Sequence, residues 1–319
     1  FALGVVMTNT TNAGNDRVSG RTIGMSRTFH ASSRGLDALG LNPANLALDD
    51  RGSTVTFEFV PFGFRAGSDF INYQIYQDYF TGEDGLDTNG QPARVPKNLS
   101  QSDKDAILEL FPGGIAHTQF NFDVTEFGFT VQSAKIGGIG FSVSERVGVN
   151  LDIPEGYLKM LLQAFPETGA TYNLDNTSVT ASWLREFNLS YARVLPFELK
   201  WVKDISVGIG LKYIQGVGYF GTAHYLGKIQ TVVTHDGTAI AGMPLSGNFD
   251  FLQYQSHIPD SNFVNNIMNP AGTGLGFDFG LSAELFQAFR VGVSITDIGK
   301  VTWDQNTKAI VGTGHFEVS

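Results

Sequence analysis

The stretch Asp204-Ile-Ser-Val-Gly-Ile-Gly-Leu-Lys-Tyr-Ile-Gln-Gly-Val217 alternates between two kinds of side chain. With the two-residue period of a β-strand, one face is polar or small, with Ser206 and Lys212. The other face is apolar and carries Ile205, Val207, Ile209, Leu211, Tyr213 and Val217. About ten residues of this pattern are enough for a tilted strand to cross a bilayer. An apolar outer face and a polar inner face favour a transmembrane β-barrel over a soluble sandwich.

The composition agrees with this interpretation. Charged residues make up only 16% of the 319 residues, whereas about a quarter is usual for soluble proteins. The sequence has no run of about 18 apolar residues, which excludes transmembrane helices. A net charge of -10 argues against nucleic acid as a partner. Because the chain has no cysteine, thiol catalysis, thiolate metal sites and disulfides are excluded.

The same alternation recurs along the chain and predicts about eight to ten antiparallel strands. In the predicted strand 120–131 the apolar phase slips between Val124 and Phe127, which indicates a β-bulge. Residues 219–270 alternate weakly, as wall strands or as an external hairpin. Long and short connections take turns, as in outer-membrane barrels with long external loops and brief periplasmic turns. This rhythm places residues 67–116 and 152–176 outside the cell.

Two helices are predicted within these long loops. The first has Ser102 as its N-cap, with Asp105 three residues later. The second contains Leu158, Leu161, Leu162 and Phe165.

The N-terminal part divides into two segments before the strands begin. Residues 1–13 start with the apolar run FALGVVM, which we interpret as the remnant of a signal peptide, with an ordinary apolar segment as the alternative. Residues 14–50 contain Asn42, Pro43 and Ala44, where a turn-favouring Asn precedes a proline of fixed φ. We expect residues 51–319 to form the β-barrel.

Four blocks, taken in order, resemble an uncharacterised, Bacteroidetes-type family of outer-membrane β-barrels related to PorV and to FadL, the long-chain fatty acid transporter. The blocks are Asn42-Pro43-Ala44, Pro154–Leu162, Trp183–Tyr191 leading to Leu211–Gly216, and Gly274–Gly280 leading to Asp297–Trp303. The resemblance implies a location in the bacterial outer membrane and an N-terminal hatch inside the barrel that ends in Asn42, Pro43 and Ala44. It also implies that the apolar loop residues 71–80 and 157–165 form an external landing site for a ligand; the alternative is that these loops pack upon themselves. The resemblance further implies more strands than the sequence predicts, so we expect the chain to lack its last strands.

Six charged residues fall on the inner faces of predicted strands: Glu58, Arg146, Glu186, Lys212, Asp278 and Glu284. They line a solute path or fix the hatch, or else they neutralise one another as structural ion pairs. Outward aromatic residues, namely Trp183, Tyr191, Tyr213 and Trp303, are typical of the girdles at membrane interfaces.

Motifs for catalysis or cofactor binding are missing from the sequence. Asp87-Thr-Asn-Gly90 lacks most ligands of a calcium loop, so a plain turn is the better interpretation. The six histidines show no ligand spacing, and there is no Gly-x-Ser-x-Gly or P-loop pattern. We therefore expect no enzyme activity, no metal and no cofactor.

Two functional hypotheses follow. The first is a passive channel for a hydrophobic or amphipathic solute, gated by the hatch. The alternative is a structural or docking subunit of an outer-membrane protein complex, the role of PorV-like proteins beside secretion machinery. The expected partners are outer-membrane lipid and lipopolysaccharide, a hydrophobic small molecule in the first case, and other complex subunits in the second. A soluble β-sandwich, a third interpretation, requires the apolar faces to be buried together.

Overall fold

A computed structural model describes residues 28–48, 54–163, 169–197, 200–231, 245–257, 268–286 and 288–318. The predicted signal-peptide remnant, residues 1–13, lies outside the described residues. The main sheet contains eleven strands, and a separate hairpin contains two. The main-sheet strands are β1 (Thr54–Phe59), β2 (Phe62–Ser68), β5 (Ile115–Ser133), β6 (Gly137–Pro154), β7 (Thr171–Asn173), β8 (Ser178–Val194), β9 (Val202–Thr231), β10 (Leu245–Ser256), β11 (Gly272–Leu285), β12 (Phe289–Trp303) and β13 (Thr307–Val318). The hairpin pairs β3 (Glu83–Leu86) with β4 (Pro92–Val95).

The main sheet is antiparallel, and most of its long strands lie beside strands that are close to them in the chain, whereas the short β7 pairs with β9. β1 and β2 pair with successive parts of β5, and β5, β6, β8 and β9 then follow in order. One half of β9 pairs with β11 and the other half with β10, so β10 and β11 lie end to end. β12 and β13 extend this arrangement along β11 and β10. The predicted strand-rich antiparallel fold is confirmed.

The connections differ at the two ends of the sheet. Short connections at residues 134–136, 195–201 and 286–288 define the lower end. Longer ones, between β2 and β5 and between β6 and β8, lie at the upper end. The upper connections include the helices α1 (Tyr73–Ile75), α2 (Gln101–Glu109) and α3 (Glu155–Gln163). None of the helices in the described residues is long and apolar enough to cross a membrane.

Several local predictions can be compared with these elements. The predicted bulge is confirmed by a register shift between Thr125 and Phe127. The weakly alternating residues 219–231 continue β9 without a break, because glycines opposite aromatic rings replace strict alternation there. On β9, for example, Gly227 is in register with Phe249 of β10.

Helix α2 starts earlier than predicted, because its N-cap is Ser100 and not Ser102. The Ser100 hydroxyl accepts a hydrogen bond from the Asp103 amide at 3.2 Å, and the Asp103 carboxylate accepts one from the Ser100 amide at 2.9 Å. This reciprocal pair is a capping box. Hydrogen bonds from the Ser100 side chain and amide also lower the pKa of the Asp103 carboxyl.

The sheet covers its polar face and exposes its apolar face. On β9, Ser206 and Lys212 are 0% exposed, whereas Val207 is 40% and Ile209 47% exposed. Water-soluble proteins usually bury the apolar side of a sheet instead. We call the covered side the inner face and the other side the outer face. The direction of alternation predicted from residues 204–217 is therefore the direction observed.

The sheet also curves strongly around its inner face. β6 and β12 are four strand positions apart, which would separate them by about 19 Å in a flat sheet. Even so, Arg146 Nη1 on β6 lies 3.6 Å from Asp297 Oδ1 on β12. Among the described residues no ladder joins β1 or β2 to β12 or β13.

Candidate functional site

Residues 28–48, which we call the inner segment, lie against the inner face near the lower end. They form three short 3-10 turns, Thr28–Ala31, Gly35–Ala38 and Pro43–Ala47. Asn42 caps the last turn, since its Oδ1 accepts a hydrogen bond from the Ala44 amide at 3.1 Å. Proline suits the first position of such a turn because its fixed φ matches and no amide hydrogen is needed there. The remaining residues of the predicted segment 14–50 lie outside the described residues.

Glycines on the inner face allow the inner segment to approach the wall backbone closely. A Cβ added at Gly208 would overlap the Ala44 amide, and one at Gly138 would overlap the Leu46 carbonyl. At Gly280 an added Cβ would lie 2.9 Å from the Ala44 amide nitrogen. These glycines leave space that any other residue would fill. The alternating glycines of the wall and the inner segment are therefore complementary in shape.

Polar side chains fix the inner segment to β11 and β12. Asn42 Nδ2 donates to Ser282 Oγ at 3.0 Å, and Ser282 Oγ donates in turn to Asn45 Oδ1 at 2.5 Å. On β12, Ser294 Oγ donates to the Leu41 carbonyl at 2.6 Å. Asn42 and Asn45 are both fully buried. Buried hydrogen bonds of this kind hold one geometry, because each unpaired partner would cost about 1–3 kcal/mol.

Six charged residues meet on the inner face just above the inner segment. We call Asp123, Arg146, Glu186, Lys212, Asp278 and Asp297 the charge cluster. Lys212 Nζ lies 2.5 Å from Asp297 Oδ1, 2.8 Å from Asp278 Oδ1 and 3.9 Å from Glu186 Oε1. Arg146 Nη1 lies 3.2 Å from Glu186 Oε2, and its Nε lies 3.8 Å from Asp123 Oδ1. Four carboxylates therefore surround two cations.

The charge cluster follows the stagger of the strands. Arg146 is in register with Leu184 but pairs with Glu186, two residues further along β8. Lys212 is in register with Gly276 but pairs with Asp278, two residues further along β11. A regular displacement of this kind arises when tilted strands wrap around an axis. The members of the charge cluster therefore lie at a similar height along the axis around which the sheet curves, although they are not in register across the strands.

The structure brings together four of the six predicted inner charges: Arg146, Glu186, Lys212 and Asp278. Glu284 instead pairs with Arg290 at 3.3 Å, nearer the lower end. Glu58 is in register with Gly128, where an added Cβ would lie 2.6 Å from Leu36. Glu58 is therefore placed beside the inner segment and not in the charge cluster.

Sequence reasoning missed Asp123 and Asp297. Asp123 lies in the inward phase of β5, between Asn121 and Thr125, so alternation alone could have found it. Asp297 has a positive φ of 61° at a register shift between β11 and β12. Its amide donates to Asp278 Oδ1 at 2.8 Å. This bulge could not be read from the apolar pattern.

The same bulge changes the side on which Trp303 lies. Ile295 and Ile298 are both exposed outward, so the phase of β12 shifts by one residue between them. Trp303 consequently packs over Gly216 on the inner face, and its predicted outward position is wrong. Tyr191 and Tyr213, by contrast, are exposed on the outer face.

The remaining candidate features have simple structural roles. Asp87 accepts hydrogen bonds from the amides of Asn89 and Gln91, both at 2.8 Å, which lowers the pKa of its carboxyl and closes the β3–β4 turn. No group of three or more histidine, aspartate or glutamate residues in the described part is arranged to hold a metal ion. In the upper connections Ile107 and Phe111 are buried, whereas Tyr73 and Leu161 are among the most exposed apolar side chains.

Comparison with known proteins identifies the family of this chain. A model of DUF5723, a family of unknown function, matches residues 63–319. The chain belongs to DUF5723. The DUF5723 match includes all six residues of the charge cluster, while the inner segment precedes it. A search of curated proteins and a search of solved structures found no match.

Proposed function

We propose that this DUF5723 chain forms the wall of an outer-membrane β-barrel and acts as a passive channel for a hydrophobic or amphipathic solute. The observation that carries the proposal is the inverted burial of the sheet. Outward Leu275, Val293 and Ile295 are 54%, 63% and 61% exposed, while inward Lys212 and Asp278 are fully covered. In a membrane barrel, lipid covers the apolar face and the polar face lines the interior.

Within the hydrocarbon region of a membrane, every strand of a sheet must be hydrogen-bonded to a neighbouring strand along both of its edges. The proposal therefore requires partners for the outer edges of β1, β2, β12 and β13. The strong curvature shown by the Arg146–Asp297 contact supports closure around the inner segment. The resemblance to FadL and PorV barrels supports the same arrangement.

In this proposal the inner segment acts as the hatch. It occupies the lower end of the interior, and the charge cluster forms the next layer above it. A solute passing from the upper to the lower end must displace the inner segment from Ser282 and Ser294. No energy source or catalytic step is needed for such passive transport.

An engineered disulfide tests whether the hatch must move. A Cβ added at Gly35 would lie 3.8 Å from Thr56 Cβ, which is the mean Cβ separation in disulfides. The chain has no native cysteine, so Gly35→Cys with Thr56→Cys introduces a single pair. After reconstitution in liposomes, uptake of a fluorescent fatty acid should be low in the oxidised double variant and recover on reduction.

The two single-cysteine variants are the matched controls. Cysteine at position 35 must adopt a φ of 53°, which costs about 1–2 kcal/mol, and the Gly35→Cys single variant carries the same strain. Uptake by the single variants should not respond to the redox state. Equal uptake by the oxidised and reduced double variant would show that the inner segment does not gate transport.

A docking subunit is the second candidate, and two observations favour it. The buried hydrogen bonds of Asn42, Asn45 and Ser282 fit a permanent plug as well as a hatch. In addition, β9 has 30 residues, about three times the 9–11 that a membrane strand needs, so its upper half offers a broad surface for a protein. Purification in mild detergent decides between them. A stoichiometric protein partner favours docking, whereas co-purified lipid inside the wall favours transport.

A further inference from the structure

A row of polar residues interrupts the apolar outer face at one position on each of five strands. Counted from the lower end, the outward apolar run stops at Val143 on β6, Phe187 on β8, Tyr213 on β9, Leu275 on β11 and Ile298 on β12. The next outward residues, which we call the polar row, are Glu145, Arg185, Gln215, Thr273 and Lys300.

Three members of this region form a compact charged group. Arg185 pairs with Glu145 directly across the β6–β8 ladder and lies 3.6 Å from Glu126 at the β5 bulge. The Trp183 indole donates to Glu145 Oε2 at 2.5 Å. The Arg185 side chain is 5% exposed, whereas that of Glu126 is 44% exposed. The group carries one net negative charge when all three residues are ionised.

We infer that the polar row marks the level at which the outer-membrane surface crosses the wall, with Glu126, Glu145 and Arg185 among the lipid headgroups. This inference rests on the proposed function and specifies which part of the chain contacts lipid. It assigns the hydrocarbon region to the outward residues between the polar row and the short connections of the lower end.

The length of the apolar runs supports this level. The run from Ile205 to Tyr213 and the run from Leu275 to Leu285 each have about the 9–11 residues that a tilted membrane strand needs. At the lower end, Trp201 and Phe286 are 58% and 62% exposed, and their ring centroids are 5.7 Å apart. Trp183 lies beside the polar row at the other end. Tryptophan at both limits is typical of membrane interfaces.

A higher position of the bilayer must be considered, because above the row the outer face is apolar again on β6, with Val147 and Val149, and on β2 and β5. Phe62, Phe64 and Phe122 are 70%, 57% and 40% exposed there. Raising the bilayer would place these rings in lipid but would expose apolar residues of the lower end, such as Leu281 and Val291, to water. The gain and the loss of buried apolar surface therefore offset each other. It would also move the exposed side chains of Lys300 and Glu126 towards the midplane, where charged groups that face lipid are strongly unfavourable. The charges therefore decide for the lower position.

Tryptophan fluorescence can test the depth directly. The chain has three tryptophans, so Trp201→Phe with Trp303→Phe leaves Trp183 alone. The matched control replaces all three tryptophans with Phe and adds Ile209→Trp, in the middle of the β9 run. Both proteins are refolded into phosphatidylcholine vesicles that carry bromine either near the headgroups or near the chain ends.

Trp183 should be quenched more by the shallow bromines, and the tryptophan at position 209 more by the deep ones. Stronger quenching of Trp183 by the deep bromines, with the control as expected, would overturn the inference while leaving the membrane wall intact. Absence of quenching in both proteins would overturn the proposed membrane function itself, so the two failures can be told apart.

Discussion

Gly208 is one of the residues at which the wall and the inner segment approach each other closely. Its inward position follows from the alternation of β9, but alternation gives no reason for a glycine there. The reason is the Ala44 backbone, which occupies the space of a β-carbon. Glycines at such positions allow two parts of the chain that are far apart in sequence to pack closely against each other.

Gly208→Ala should therefore weaken the contact with the inner segment. Overpacking of a filled site typically costs about 1–3 kcal/mol, so the thermal midpoint of the folded band on unheated gels should fall. The inner segment should also become sensitive to protease.

Gly276→Ala is the matched control on the neighbouring strand, because its added Cβ would meet Lys212 Cβ at an ordinary 3.4 Å. That variant should keep the wild-type midpoint. Equal behaviour of the two variants would contradict the close fit at Gly208.

At the scale of elements, the charge cluster joins strands that the main sheet does not pair. Arg146 on β6 and Lys212 on β9 both contact Asp297 on β12. Mutual neutralisation is one of the roles predicted for such inner charges, and the ion pairs of the charge cluster are compatible with it.

Lys212→Met should strongly destabilise the wall. Removing one partner of a buried ion pair typically costs about 3–5 kcal/mol, because the remaining charges are left uncompensated. Asp278, whose side chain is fully buried, would lose its contact with Lys212 at 2.8 Å. The midpoint of urea unfolding in detergent micelles measures the effect.

Arg290→Met provides the comparison, since Arg290 and Glu284 are 25% and 26% exposed in their side chains. A partly exposed pair contributes about 0–1 kcal/mol, so its loss should shift the midpoint little. If both variants lost the same stability, the charge cluster would not bind the strands together.

At the scale of the whole molecule, we propose that the inner segment is the layer that blocks the lower end of the interior, beneath the layer formed by the charge cluster, in which the Asp297 side chain is still 42% exposed. Deleting residues 20–48 removes the first layer and leaves the second. The deletion should raise the ion conductance of planar bilayers that contain the protein. Unchanged conductance, with the variant still folded, would contradict a hatch at the lower end.

The sequence was sufficient to predict most of the long strands and the direction in which they face, but not the β3–β4 hairpin, which lies in residues predicted to be a loop. Alternation in residues 204–217 involves neighbours in the chain, and so do the bulge after Val124 and the short connections of the lower end. These features depend on local geometry, in which successive side chains of a strand point to opposite faces.

Only the tertiary structure decided which inner charges meet and on which side Trp303 lies. The stagger of the strands selects the partners of Arg146 and Lys212, and the bulge at Asp297 reverses the phase of β12. Both depend on how strands distant in sequence are aligned and curved. A one-residue shift in that alignment moves every later side chain to the other face. The alignment itself cannot be inferred from a single sequence.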